Sequence, residues 1–499
     1  MQSLWLDRDD RPSYPRMAPG GRYDVVVVGA GLTGLITALL FARAGRSVAV
    51  LEGRYVGAGT TGNTTAKVSL LQGTRLSQIA SKHPTDVLRA YVDANREGQQ
   101  WLLRYCAERG IDVQRHPAFT YATTAGGRRS VRAELTACED AELDVRWVRA
   151  PELPFPTRGA VCLDDQAQLD PLDVLLTLAA DVQDHGGVIF EDTRVRTVHT
   201  QTDALSTVVT EHCDTHAEHV VLATGTPVLD RAGYFARLEP LRSYALSFTV
   251  PGPVPTGMYL SADATTRSLR TVPTAAGTRL LVGGNGHTVG RHGSTRALVD
   301  DLRSWTERYF PGAELTHSWS AQDYAAIDGL PYVGPLTPGS DRIFIATGYD
   351  KWGMTNAVAA GLALSQRILG DASTPWAKAL ESWRIQEITG LPAAAMLNAK
   401  VGWNLANGWI RPLLGGGGAD GPAEGEGRVE RHFPQPVARC TVNGVTHAVS
   451  AVCPHLRGVV RWNDAELSWD CPLHGSRFSA SGEVLEGPTT RGLPRVEHG

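Results

Sequence analysis

At 499 residues, with 42% hydrophobic and 20% charged side chains, the chain has an ordinary globular composition and room for roughly three structural units. Its 48 Lys and Arg against 52 Asp and Glu leave a formal charge of −4, which gives no basis for nucleic-acid or acidic-membrane binding, and no run of about 18 apolar residues is present to span a bilayer. Seven scattered cysteines are too few for a secreted disulfide framework, and residues 1–23 carry acids and prolines without an apolar run, so a cytoplasmic protein without a signal peptide is expected.

The first predicted element is a strand at 25–28, a continuous valine run suited to burial on both faces of a parallel sheet. Gly29-Ala30-Gly31-Leu32-Thr33-Gly34 follows. In this spacing Gly29 permits a sharp turn, Gly31 a close approach of backbone to pyrophosphate, and Gly34 tight packing of helix on strand. The helix carries Leu35, Ala38, Leu39 and Ala42 on one stripe and stops at Gly45. Its N-terminal amides, with those of Leu32 and Thr33, are offered to phosphate. A second strand at 47–51 ends in Glu52, 21 residues past Gly31, where a carboxylate holds a ribose hydroxyl. The Gly- and Thr-rich stretch after it is placed to wrap a cofactor, with Thr61, Thr64 and Thr65 as hydroxyl donors.

Residues 75–110 read as helical, with aromatics at core spacing, and 111–165 as a mixed region of short strands. Residues 170–187 form a helix with Asp170 as N-cap and a Gly-Gly stop. Successive strands then lead to a buried one ending at Gly225. His212, His216 and His219 fall in this hairpin without a carboxylate pattern, and are read as surface residues rather than metal ligands. Residues 226–320 alternate apolar and polar side chains, an antiparallel sheet in which Gly283, Gly284 and Gly286 make no second dinucleotide fingerprint. A third buried strand at 343–346 ends in Thr347-Gly348, and a helix beginning near Gly353, Met354 and Thr355 again offers amides to a ligand oxygen. Residues 374–413 are expected to be a helical, Trp-containing appendage, and 415–427 a flexible linker with a span on the order of 20 Å.

Beyond the linker the chain becomes a small all-β region, and within it stand Cys453-Pro454-His455 and Cys471-Pro472-Leu473-His474. Each loop supplies one thiolate and one imidazole. Zinc fingers usually pair like with like in each half. The C-x-H and C-x-x-H arrangement suits a two-iron cluster with both cysteines, Cys453 and Cys471, on one iron and both histidines, His455 and His474, on the other. Zinc is the alternative occupant.

These two loops resemble the Rieske [2Fe–2S] fold over about 428–497. Respiratory Rieske domains carry a further cysteine in each loop; here Arg457 or Gly458 and Leu473 stand in those places. Ser476 matches a serine that bonds a bridging sulfide, and Phe478 replaces a donating tyrosine, so the resemblance implies a cluster potential toward the low end of the Rieske range.

Residues 24–370 resemble the D-amino-acid oxidase, glycine oxidase and sarcosine oxidase superfamily of FAD enzymes. The resemblance rests on GAGLTG with Glu52, VVLATG at 220–225, the sheet of 226–320, DGLPYVG at 328–334 and ATGYDKWGMT at 346–355. It implies an α/β, Rossmann-like FAD-binding domain from 20–75, 155–225 and 321–370, and an antiparallel-sheet substrate domain from 76–154 and 226–320. The helical appendage at 371–414, the linker and an all-β Rieske domain at 428–499 complete the partition. It also implies that Val195 meets the adenine and that Gly353, Met354 and Thr355 lie by the flavin pyrimidine.

With one dinucleotide fingerprint, an organic substrate is the expected reductant. The resemblance implies oxidation of a small amine or amino acid, with hydride passing to flavin N5 and electrons then passing singly to the cluster, and with a one-electron acceptor protein or O2 as final partner. Around the substrate the candidates are Arg270, Tyr324 and Trp352, together with Arg267, Tyr244 and Tyr259. Arg270 is expected to clamp a carboxylate, because it shares a strand face with Ser268. The linker is expected to tether a cluster domain whose His455 and His474 edges serve as the exit point. Two further readings are an oxygenase, disfavoured because no mononuclear-iron set of one carboxylate and two histidines can be placed, and a non-enzymatic electron carrier or redox sensor.

Overall fold

The structure, a computed structural model, describes all residues except 201–204, 371–373, 385–386, 388–389, 415–420, 433 and 497–499, and no side chain of 411–414. The valine strand Arg22–Val28 lies at the centre of an eight-stranded sheet. Val27 faces Val50 of Val48–Leu51 on one side and Val221 of Asp214–Leu222 on the other, all three parallel. Val188–Phe190 continues one flank, and Ile343–Thr347 with the antiparallel Tyr332–Pro335 continues the other. Helix Leu32–Arg43 leaves the central strand at the glycine turn, and its Leu35, Ile36, Leu39 and Phe41 are fully buried. Each such side chain contributes about 1.5–3 kcal/mol of burial. Helix Gly353–Leu369 packs across it so closely that a Cβ on Gly361 would stand 2.9 Å from Ile36.

The second sheet has nine strands. Glu314–Ala326, Leu238–Thr249, Gly277–Thr288, Arg267–Thr274 and Met258–Ser261 form its antiparallel body, and Val113–Tyr121 joins Met258–Ser261 in parallel. Ala160–Leu169 and Lys67–Val68 complete the row, with Lys67 opposite Gln168. Those last two strands come from segments expected in the dinucleotide domain; a two-residue strand pairing across a hundred residues leaves no local periodicity to read. Two helices were not expected. Ala125–Asp140 lies in the region read as short strands, and Arg296–Tyr309 in the region read as sheet. The latter packs Leu298, Val299, Leu302, Trp305 and Tyr309 on the sheet at helical spacing, a stripe the alternation reading passed over.

After the helix Leu391–Leu414 the chain builds a three-stranded and a four-stranded antiparallel sheet. The hairpin between Val437–Val442 and Val445–Ser450 turns at Asn443 and Gly444, both left-handed at φ 53° and 72°, as a type I′ turn requires. The first six residues of the expected linker lie outside the described residues. Its later part is already attached to this region: Glu424 accepts the amides of Asn443 and Gly444, and the Thr441 amide donates to Glu426. The C-terminal region is seated on the rest of the protein through buried charges. Arg242 pairs with Glu466 and Glu486, and Arg477 with Glu466, Asp470 and Glu486. Asp464 accepts from Ser294, Thr295 and the Arg296 amide. Such buried pairs add little net stability over an apolar contact, but a misplaced dock would leave charges unpaired. Among the described residues no helix is long and apolar enough to cross a membrane.

Candidate functional site

A cleft opens at the carboxyl edge of the central sheet, where the strand Arg22–Val28 turns into its helix. Gly29 makes the turn at φ +107°, and a Cβ there would stand 2.6 Å from the Ala223 carbonyl. Gly31, Leu32 and Thr33 line the cleft, and so do Glu52, Thr61, Thr64, Val195, Gly225, Gly353 and Met354. Two helix N-termini, at Leu32 and Gly353, reach it with no capping bond from the residue before them. Their amides and dipoles favour anionic oxygens. The Glu52 carboxylate is steadied by the Ala30 and Arg54 amides, each at 2.9 Å. This donor set fits an adenine dinucleotide.

Four expected contacts do not face the cleft. Gly34 is a packing glycine, since a Cβ would lie 1.9 Å from the Gly29 carbonyl. Gly348 packs on Ala326 and Leu238, and Thr355 is buried with its hydroxyl donating to Asn95 at 2.6 Å. Thr65 lines a second cavity. The sequence reading missed Arg54, Arg194, Tyr349 and Lys351, which do line the cleft. All four adjoin recognised positions: Arg54 lies two residues past Glu52, Arg194 beside Val195, and Tyr349 and Lys351 beside Gly348 and Trp352.

The second cavity shares Thr60, Thr64, Asp323 and Lys351 with the first, and its floor is the nine-stranded sheet. Trp352 and Tyr244 line it, while Tyr324 lines the dinucleotide cleft. Arg270 lines neither. It does share the face of Ser268, but its guanidinium is covered by the turn at 65–66 and donates to the carbonyls of Thr65, Ala66, Leu169 and Thr271. With these contacts and a 1% exposed side chain, it is a structural residue and not the clamp. Arg267 is held by Asp301 and Asn285, and Tyr259 stacks on Phe119. The basic side chain deep in the cavity is Lys67, which donates to Ser268. Burial, with Arg270 behind it, pushes the Lys67 amine down to about 7. Burial raises Asp323 to about 6, although its carboxylate accepts the amides of Tyr324 and Lys351.

In the C-terminal region Cys453 and Cys471 are buried free thiols, and the His455 and His474 rings stand 5.1 Å apart. Burial, then the neighbouring His455, pushes His474 down to about 3, so its ring is neutral, and neither ring nitrogen has a hydrogen-bond partner among the described residues. Among those residues no three His, Cys, Asp or Glu side chains converge as a single ion would require. The ligands stand instead as a thiol pair and an imidazole pair, which fits a two-iron cluster. Gly458 and Leu473 close the two loops on each other, since a Gly458 Cβ would lie 2.6 Å from Leu473. Ser476 accepts the Thr489 amide at 3.1 Å, and its hydroxyl is also in hydrogen-bond contact with the Cys453 sulfur.

The imidazole edges face inward. His455 Nε2 lies 2.5 Å from an Asp230 carboxylate oxygen, and the His474 ring meets Phe235 at 5.2 Å. The expected exposed exit at these histidines is therefore covered by residues 230–235. Leu485, Glu486, Gly487, Thr489 and Thr490 of the C-terminal region form part of the dinucleotide cleft wall.

Known proteins match both parts of the chain. Residues 24–367 match the family model of FAD dependent oxidoreductases, and residues 423–497 match the Rieske [2Fe-2S] domain. The chain is 28% identical over 499 residues to YhfW of Bacillus subtilis (strain 168), named as a Rieske 2Fe-2S iron-sulfur protein, covering 99% of this chain and 97% of that one. It is 25% identical over 387 residues to a glycine oxidase of Bacillus licheniformis, covering 74% of this chain and 99% of the relative. In fold it is similar to the crystal structure of glycine oxidase from Geobacillus kaustophilus, with a TM-score of 0.60 and 20% identity over 71% of this chain and 96% of that one. It is similar also to L-proline dehydrogenase from P. horikoshii, with a TM-score of 0.62 and 17% identity over 74% and 99% of the two chains.

Proposed function

The chain belongs to the FAD dependent oxidoreductase family and carries a Rieske [2Fe-2S] domain behind that part, and from this premise we propose that it oxidises a small amine or amino acid at the C–N bond and passes the electrons singly to its cluster. Its cofactors are FAD and a Rieske-type [2Fe–2S] cluster. Bound FAD supplies a two-electron acceptor and the cluster a one-electron carrier. In the reaction the carbon bearing nitrogen gives up a hydride, and water hydrolyses the resulting imine to a carbonyl compound and ammonia, or an amine where the nitrogen is substituted.

The chain's own residues orient the partners. The first turns of the helices Leu32–Arg43 and Gly353–Leu369 present their amides and dipoles to the cofactor's anionic oxygens, the Leu32 amide being shared with the Thr61 hydroxyl at 3.2 Å, and Glu52 accepts from its ribose. Trp352, Tyr244 and Leu260 wall the neighbouring cavity and exclude water from the reacting carbon. Asp323 and Lys351 stand where the two cavities meet, placed to face both substrate and cofactor.

The observation that carries the electron-transfer part is the position of Gln322. Its side-chain amide lines the dinucleotide cleft and donates both to the Tyr324 hydroxyl and to the carbonyl of Gly475, the neighbour of His474. A cluster domain present only to stabilise the chain would not need its ligand loop at that wall.

The test is anaerobic stopped-flow mixing of the holoenzyme with a panel of amines and amino acids, following flavin absorbance and then the reduced-cluster EPR signal. Flavin bleaching followed by cluster reduction is expected for at least one compound. If no compound bleaches a flavin that dithionite reduces, the carrier or sensor reading replaces this one.

A further inference from the structure

We infer that Lys67 is the anchor for an anionic group of the substrate, so that the cavity selects amines carrying a carboxylate. The inference rests on the proposed amine oxidation for the identity of the cavity, and adds to it the substrate class and the residue that reads it.

Lys67 lies in the two-residue strand Lys67–Val68, 8% exposed, and lines the cavity. Its one recorded hydrogen-bond acceptor is the neutral Ser268 hydroxyl. Behind it lies a second buried cation, Arg270, whose donors go to uncharged backbone carbonyls. Among the described residues neither has a carboxylate within ion-pair distance; Asp170, the acid nearest in effect to Arg270, is itself engaged by the Leu172 amide. Two basic groups thus stand in a low-dielectric wall with no carboxylate in contact, Lys67 carrying its charge below about pH 7. Burying an unpaired cation costs several kcal/mol, and a carboxylate entering the cavity would supply the missing charge along with a charge-assisted hydrogen bond.

The space in front of Lys67 is suited to such a ligand. The floor at Gly283 has no side chain, and a Cβ there would meet its neighbours only at 3.4 Å or beyond. Leu241, Tyr244, Leu260 and Trp352 offer apolar surface to the rest of the molecule. Asp323 lines the junction with the dinucleotide cleft and is the acid available there to the substrate nitrogen. A zwitterion would then lie along the cavity with its reacting carbon toward the cofactor.

The charged and titratable groups around Lys67 are Arg270 behind it and Asp323, Lys351 and Tyr244 across the cavity. The ammonium form persists below about pH 7, burial being the main cause and Arg270 the second. Affinity for a carboxylate should therefore fall as pH rises through neutrality, by up to about tenfold per unit.

The experiment is titration of the FAD-loaded, full-length protein with benzoate and, as the neutral control, benzamide, read by perturbation of the flavin spectrum from pH 6 to 9. Benzoate binding should weaken with pH while benzamide stays level, and Lys67→Met should weaken benzoate about tenfold or more and remove most of its pH dependence. PH-independent benzoate binding in the wild type, or equal losses of benzoate and benzamide in Lys67→Met, overturns the inference. If Lys67→Met fails to retain FAD, the wild-type pH comparison and Ser268→Ala, expected to weaken benzoate selectively, decide. A pH dependence surviving intact in Lys67→Met assigns it to Asp323 and also overturns the inference. The measurement needs no turnover, so a failure of amine oxidation with a positive result here leaves the anchor standing, and the reverse outcome removes the anchor alone.

Discussion

The side-chain amide of Gln322 donates at 2.8 Å to the carbonyl of Gly475, and this bond fastens the loop that carries His474 to the wall of the dinucleotide cleft. The same amide donates at 2.8 Å to the Tyr324 hydroxyl, and its oxygen accepts from Arg242 at 3.2 Å. One uncharged side chain thus satisfies groups from both halves of the protein. Replacing it leaves the Gly475 carbonyl buried and unmatched.

Gln322→Met keeps the volume and removes those bonds. An unsatisfied buried acceptor costs about 1–3 kcal/mol, enough to loosen the loop without unfolding the chain. Reduction of the flavin by substrate should stay within a few-fold of wild type, and the following reduction of the cluster should slow by an order of magnitude or more. Dual-wavelength anaerobic stopped flow separates the two phases. Cluster reduction at the wild-type rate would remove Gln322 from the path.

Arg242 concerns the dock as a whole. Burial alone would raise Glu466 and Glu486, but Arg242 and Arg477 override it and hold both well below the usual carboxylate range. Their contribution to stability is therefore fully present above the unfolded carboxylate value of about 4.3 and is lost as pH falls below it through the depressed folded values. The wild-type thermal midpoint should drop steeply below about pH 4. Arg242→Met leaves Glu466 and Glu486 with Arg477 as their remaining cation, and should cost about 3 kcal/mol at neutral pH and reduce the acid dependence. Adding Glu466→Gln and Glu486→Gln should recover part of the loss. Calorimetry across pH 3 to 8 checks both parts, and a wild-type midpoint level through that range contradicts the pairing.

Much of the dinucleotide half is legible because its signals are local. The glycine turn, the valine strand and Glu52 fall within 30 residues, and the structure keeps them as one unit. The cluster loops are legible for a different reason: ligand chemistry restricts residue type and spacing, whatever the surroundings. Arg270 shows where such reading stops. Alternation placed it correctly on the Ser268 face, but what covers that face is the carbonyl of Thr65, some two hundred residues away. Lys67 was missed for the mirror-image reason. In the polar stretch before it a lysine reads as solvent-facing, and only the long-range pairing of Lys67 with Gln168 turns it inward. The seating of the cluster domain is likewise written in single charges, Arg242 and Glu466 among them, with no pattern in either neighbourhood.

Gly458→Ala tests the closure of the two cluster loops. The added Cβ would stand 2.6 Å from Leu473 Cγ and 3.0 Å from Cys471 Sγ, closer than packed atoms tolerate. Because the near atoms belong to a ligand and to the residue between the ligands, relief displaces Cys471. The variant should retain FAD while its iron and acid-labile sulfide fall below half of the wild-type content, with a matching loss of the Rieske-type EPR signal. Full iron and sulfide content would show that the loops open at little cost.

The final prediction concerns the direction in which the cluster works. The imidazole edges are not free: Asp230 stands at His455 and Phe235 at His474, both from the half that holds the dinucleotide cleft. On the proposed route the cluster would face its donor, and an external acceptor would meet the loop tip at Leu456, the neighbour of His455 and 39% exposed. Electrons would then enter from inside and leave past Leu456. Cys453→Ser with Cys471→Ser removes the thiolates that hold one iron, while the dock has independent fastenings at Arg242, Gln322 and Asp464. The doubly substituted protein should therefore keep its FAD, and substrate should still bleach the flavin. Transfer to a one-electron acceptor protein should collapse, because a hydride-derived electron pair no longer has a one-electron outlet. Leu456→Asp is the complementary variant: flavin-to-cluster transfer should be preserved and delivery to the external acceptor slowed. If the cysteine variant passes electrons to that acceptor at the wild-type rate, the cluster is off the path, and the C-terminal region serves only to complete the wall of the cleft.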